Sequence, residues 1–444
     1  MSTFIERAKF SCALGGAIST VAGIHRAIPI VHAAGGCAGM LSGSYNLAAG
    51  YRGLGYCGGN MIPTSNIAEN NIVFGGEDRL SEQIEHTLKA LDGDLYVVLT
   101  GCQVEIIGDD AVAVAGKFKS QNVIGVSTPG FLGNALKGYD AVLSAVARGT
   151  VQEAPVKDPL TVNILGVVPG HDVFYRGNLE EIKRLLGLIG VKSNVYFAAG
   201  ETVEDIKKSG NAALNLVLSP VSGVLTAAAY KDVHGIPWLR SELPIGPTGT
   251  RAFLLQVGEA LGISKALVEK VLRAEESYYY SYLERIVDIY SDLDFQRYAI
   301  VAADSYYAHA LTRFLANDLG WIPHLTSIND IEGEFEREEY RASFSDINSE
   351  TKPIVVFEQN AGEILNRIRE SWPLNRSQKY YDSLSPAYVV GSGIERDLAD
   401  KLGAAFLAVA YPVSNRVVLN KGYAGYRGSL TFLEDLFTNL VAAR

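Results

Sequence analysis

The sequence predicts an α/β protein made of three successive units with parallel sheets, and three observations carry that expectation. Short, almost wholly apolar runs such as LYVVLTG and NILGVVPG alternate with stretches of helical period, the pattern of βαβ units. The chain has 444 residues, too many for one ordinary core, so two or three domains are expected. Its texture also changes along its length, which divides it into units at 1–155, 156–290 and 291–444.

The first unit is glycine-rich. AIPIVHAAGGC and LYVVLTGC read as buried strands ending in Gly-Cys, and EDRLSEQIEHTLKALDG between them is an amphipathic helix. In the second unit TVNILGVVPG, SNVYFAAG and AALNLVLSP read as strands, separated by the helices NLEEIKRLLGLIG and ETVEDIKKSGN. A long helical stretch from about Ser264 to Asp292 bridges to the third unit. There RYAIVAAD, KPIVVFEQN, AYVVGS and AFLAVAYP are strands, and SYYAHALTRFLANDLG is a helix. The charge run from Ile331 to Tyr340 is a solvated surface.

Composition narrows the function. At 48% hydrophobic and 20% charged residues the chain builds a sizeable core and is not disordered. A net charge of −10 provides no basic field for a phosphate backbone or an anionic bilayer, which argues against nucleic acid as a partner. No apolar run reaches the length of a membrane span. The start, MSTFIERAKF, is charged at Glu6, Arg7 and Lys9 and lacks an apolar signal core, so a cytoplasmic protein is expected. Thiols stay reduced there, so Cys12, Cys37, Cys57 and Cys102 are not read as a disulfide framework.

All four cysteines fall in the first unit, at the ends of strands flanked by glycine. In open α/β sheets ligands bind beyond the carboxyl ends of the strands. Thiolates there, with backbone amides free to bond sulfide, suit an iron–sulfur cluster. The alternative is a set of inert buried thiols. There is no C-x-x-C pair and no Cys-His ligand spacing, so structural zinc is poorly supported. Neither a P-loop nor a G-x-G-x-x-G helix start occurs, so nucleotide binding in the standard ways is not expected.

The stretches FSCALGGAISTVAGIHRAIPIVHAAGGCAG, NIVFGGEDRL, LTGCQVEIIGDD, STPGFLGNALKGYD and VAYPVSNRVVLNKGYAGYRGSLTFLEDL, in this order and over nearly the whole chain, resemble the landmarks of nitrogenase component 1 subunits. The resemblance implies three doubly wound, Rossmann-like α/β domains with parallel sheets. It also implies an electron-relaying β subunit that contributes three cysteines to an eight-iron, seven-sulfur P-cluster shared with three cysteines of an α-like subunit. The matching positions are Cys12, Cys37 and Cys102; Cys57 matches no ligand position. The α-like partner would complete an α2β2 heterotetramer and hold the active-site cofactor, whose thiolate ligand this chain lacks, having no cysteine after Cys102. An ATP-hydrolysing iron protein would deliver electrons near Phe74, a residue that could equally be a core aromatic. Two departures stand out: Cys12-Ala13-Leu14 where the family has Cys-Gln-Pro, and Gly130 where it has a serine able to ligate the oxidised cluster. They lean the resemblance toward a nitrogenase-like reductase such as methylthio-alkane reductase, which cleaves carbon–sulfur bonds. The alternatives are a molybdenum, vanadium or iron-only nitrogenase and a non-catalytic scaffold for cofactor assembly. Neither the heterometal nor the substrate can be read from this chain.

Other polar residues receive ordinary readings. His25 and His32 are expected to be satisfied histidines rather than ligands. Asp109 and Asp110 are expected to favour the start of the helix DDAVAVAGKF. Tyr278, Tyr279, Tyr280 and Tyr282 lie on one helix, so they point in several directions and partly suit an interface.

Overall fold

The computed structural model describes residues 5, 7–55, 62–348, 352–374 and 384–442. Three wholly parallel sheets follow one another along the chain. The first contains β1 (Ala27–His32), β2 (Leu95–Thr100) and β3 (Val123–Val126) in chain order. The second contains β4 (Asp158–Leu165), β5 (Lys192–Asn194), β6 (Ala212–Val217) and β7 (Trp238–Arg240) in the order β5-β4-β6-β7. The third contains β8 (Tyr298–Ala303), β9 (Ile322–Ile328), β10 (Ile354–Phe357), β11 (Ala387–Gly391) and β12 (Ala405–Ala408), ordered β10-β9-β8-β11-β12. In the last two sheets the chain starts in the middle and winds out to both sides, the doubly wound arrangement. β1 and β2 are buried along their whole length, as strands covered on both faces must be.

In the first section the helices are α1 (Ala13–Gly23), α2 (Gly35–Ala48), α3 (Glu69–Phe74), α4 (Glu77–Ala90), α5 (Cys102–Ile107), α6 (Ala111–Gly116) and α7 (Ala135–Gly149). The α1 and α7 backbones cross almost in contact. A Cβ on Gly16 would fall 1.9 Å from the Ala135 carbonyl oxygen, and one on Gly138 would fall 1.9 Å from that of Ala13. Only glycine permits this approach. It fixes where α1 begins, and therefore where Cys12 stands.

The structure departs from the sequence reading in instructive places. The apolar run SNVYFAAG pairs only through Ser193 and Asn194; Val195, Tyr196 and Phe197 leave the sheet and enter the core, where the Tyr196 and Tyr230 hydroxyls lie 2.9 Å apart. The stretch from Ser264 to Asp292 is two α-helices, Lys265–Leu283 and Val287–Asp292, joined by a 3-10 turn. The charge run forms the helix Glu334–Ser343, with Tyr340 buried and the acidic side outward. No helix among the described residues is long and apolar enough to cross a membrane.

Candidate functional site

Three elements deliver the cysteines to one place. β1 and β2 are neighbours, with His32 opposite Thr100, so the chain leaves both strands side by side. Each then starts a helix: Cys37 is the third residue of α2, and Cys102 is the first residue of α5, after Gly101. Cys12 caps α1 in an extended conformation and bridges Asn134 at the start of α7. The neighbouring Ala13 N–H donates to the Gly133 carbonyl at 2.9 Å. Cys37 and Cys102 thus stand in the first turns of helices that follow strands rather than in the strands themselves, and Cys12 stands at the start of α1, which precedes β1; all three lie at helix ends whose free N–H groups favour negative charge.

Gly130 marks the meeting point. Its N–H donates to Cys102 Sγ at 3.1 Å. A Cβ built there would lie 3.0 Å from Cys102 Sγ and 3.6 Å from Cys12 Sγ, so the two sulfurs are no farther apart than those distances together. Cys37 is close enough to feel both. Burial pushes its thiol up, the charges of Cys12 and Cys102 add to this, and a hydrogen bond from Gln103 opposes them. All three thiols are partly buried and free. Among the described residues no three His, Cys, Asp or Glu side chains gather closely enough to hold a single metal ion. A thiolate set spread around a glycine, with a backbone N–H on one sulfur, fits a larger metal-sulfide body. Gln103 was not singled out from the sequence; its Oε1 is buried with no partner among the described residues, and its only sequence signal is adjacency to Cys102.

The surroundings are apolar and open. Met40 is 76% exposed and Ile106 75%, and Leu47, Phe131 and Leu132 are also exposed. Gly36, Gly39, Met40, Gly43 and Leu47 share one face of α2 by helical geometry. A Cβ on any of those three glycines would meet nothing within 4 Å. Phe74, at the end of α3, is 86% exposed and is no core aromatic. Cys57 lies outside the described residues.

The remaining candidates resolve individually. His32 is fully buried and satisfied: Nδ1 lies 2.9 Å from Ser65 Oγ and Nε2 lies 3.1 Å from Asp109 Oδ2. Burial lowers its pKa, outweighing the Asp109 carboxylate. His25 is exposed. Asp110 caps α6 as expected, accepting from Ala113 N–H at 2.9 Å. Asp109 does not. It turns back to accept the Gly76 N–H at 3.0 Å, because the left-handed Gly108 directs its side chain toward His32 and Gly76 rather than along α6. On the helix Lys265–Leu283, Tyr279 is buried against Tyr426 while Tyr278, Tyr280 and Tyr282 are exposed.

Two larger openings lie elsewhere. An apolar groove of about 920 Å³ runs between the end of the tyrosine helix and the C-terminal helix Gly425–Ala442. A cleft of about 960 Å³ is lined by groups that follow β7, β8 and β9. Four of its charged groups answer one another. His309 sits 2.8 Å from both Glu242 and Asp346, and Arg313 sits 3.0 Å and 3.3 Å from the same two carboxylates.

Comparison with known proteins identifies the family and the fold. The family model for nitrogenase component 1 type oxidoreductases matches residues 12–441. The nitrogenase molybdenum-iron protein beta chain of Methanococcus maripaludis strain S2 is 24% identical, over 97% of this chain and 93% of that protein. The nitrogenase iron-iron protein beta chain of Rhodobacter capsulatus is also 24% identical, over 98% and 93%. A solved structure described as nitrogenase Cp1 at pH 6.5 superposes with a TM-score of 0.79 at 18% identity, covering 100% of this chain and 94% of its own.

Proposed function

From the premise that this chain belongs to the nitrogenase component 1 type oxidoreductases, on their β-subunit side, we propose that it is the electron-relaying half of a two-chain reductase. Cys12, Cys37 and Cys102 hold one side of a P-cluster whose other side belongs to an α-like subunit in an α2β2 heterotetramer. Such a cluster, when bound, stores and passes on electrons. The chain's own residues supply three thiolates, the Gly130 N–H on one sulfur, and an exposed apolar surround for a partner surface to cover. The observation that carries this reading is the meeting of three thiols around Gly130 on a face rimmed by exposed Met40, Ile106, Phe131 and Leu132.

The exposed Phe74 is the docking point for an ATP-hydrolysing iron protein, in keeping with the lack of a nucleotide motif in this chain. The cytoplasm, where thiols stay reduced, is the fitting compartment. For the substrate we favour the carbon–sulfur bond of methylthio-alkanes. Gly130 supports that side of the family, since it presents no hydroxyl to the two thiols it touches.

The test is anaerobic purification with the partner chains, metal analysis, and paired assays of dinitrogen and thioether reduction. Eight irons per interface and thioether turnover are expected. A four-iron content would indicate an assembly scaffold, and dinitrogen turnover alone would indicate a nitrogenase. Cys102→Ala should lower iron content and weaken association with the partner; unchanged iron would refute the ligand assignment.

A further inference from the structure

The helix that starts at Cys102 and the turn that presents Phe74 are fastened to the same carboxylate. α5 has six residues and buries only Val104; α3 has six and buries none. Neither is held by a deep apolar face, so what fixes them is at their ends. Asp109 follows α5 after one glycine, and its side chain is 5% exposed. Gly76 N–H donates to both of its oxygens, at 3.0 Å and 3.1 Å, and His32 Nε2 reaches Oδ2 at 3.1 Å.

The geometry admits little else. Gly75, directly after Phe74, has φ +92°, which side-chain-bearing residues rarely adopt. A Cβ on Gly76 would lie 2.6 Å from Asp109 Oδ2 and 3.1 Å from His32 Cε1. The glycine pair therefore lets the backbone seat on the carboxylate. A second link runs alongside, with Asp110 N–H donating to Glu77 Oε1 at 3.0 Å. His32 ends β1, paired with the strand that leads into Cys102, so the carboxylate ties the turn to the sheet as well.

We propose that Asp109 is a positioning residue that registers the Phe74 turn against the Cys102 helix, so that a partner seated on Phe74 is held at a set distance from the thiolate and can act on it. This rests on the reading of Phe74 as the docking point. A charge-assisted bond to a backbone N–H in a dry site resists displacement more than a neutral one. Physical coupling of this kind needs a shared element that both sites bias, and the carboxylate is that element.

Asp109→Asn, purified in the full complex, keeps the side-chain shape and leaves His32 without an anionic acceptor. Amide exchange should quicken together at 72–76 and at 102–107, with iron content unchanged. Electron delivery should fall about tenfold, while half-saturation by the iron protein stays put. Phe74→Ala should instead raise half-saturation, and combining the two should give less than the product of the separate losses. Faster exchange at 72–76 alone, or fully independent effects, would overturn the tether. If Phe74→Ala leaves half-saturation unchanged while the two segments still loosen together in Asp109→Asn, it is the docking assignment that fails, and the mechanical link stands.

Discussion

At the cleft behind β7, β8 and β9, four charged groups answer one another within the chain: one histidine and one arginine against Glu242 and Asp346, at 2.8–3.3 Å. Around Gly130, by contrast, three thiols stand within reach of each other's charge with one backbone N–H and one glutamine for company. The Glu242 and Asp346 carboxylates are met by cations of the same chain. The thiols of the other face are met chiefly by one another. A charge network that neutralises itself holds a fold together, whereas thiols gathered beside one another, with burial pushing Cys37 up, suit something positive from outside.

The largest expected loss lies outside the cleft, in another pair that is closed within the chain. Lys9 and Glu395 form a buried pair at 2.6 Å, with side chains 2% and 0% exposed, joining the approach to Cys12 to the end of β11. Lys9→Ala would leave the buried Glu395 carboxylate without its cation, held only by the Ser392 N–H and hydroxyl, and should destabilise the chain by about 3–5 kcal/mol in denaturant melts. His309 comes next. Burial pulls its pKa down, but Asp346 and Glu242 more than compensate, so its folded value is raised above the ordinary 6.5. Its contribution is therefore complete below about pH 6.5 and disappears as pH rises through the folded value. His309→Gln should cost about 1.5–3 kcal/mol at pH 6 and less at pH 9. A loss that grows with pH would contradict the closed network.

How much of this could be read beforehand differs between the same two regions. The thiol site was legible because thiols are few and clustered and because local patterns, a strand and then Gly-Cys, repeat there. What the pattern misread was Asp109, expected at the start of α6, whose partners His32 and Gly76 lie far away in sequence. The cleft was invisible for that same reason: Glu242, His309 and Asp346 belong to three separate stretches. Among strands, β3, β7 and β9 escaped notice. β3 and β7 are short, and β9 contains His324, Thr326 and Ser327, polar residues that an isolated apolar count rejects. Thr326 is tolerated in the core because its hydroxyl meets that of Thr312 at 2.9 Å.

At the unfinished end, effects on stability should be small while effects on assembly are large. Cys37→Ala removes a partly buried thiol whose pKa burial has raised, and should change the stability of the metal-free chain by about 1 kcal/mol. Iron content should nevertheless fall. Phe74→Ala gives the smallest stability effect of all. A ring that is 86% exposed gains almost nothing from the fold, so the melt should move by less than about 0.5 kcal/mol. If Phe74 serves only this chain, nothing else changes. If it serves a partner, association weakens while the melt stays in place, because an exposed aromatic becomes costly to lose only when a second surface covers it. A large stability loss on truncating Phe74 would show that the ring is buried in solution, and the distinction between the closed cleft and the open face would fall with it.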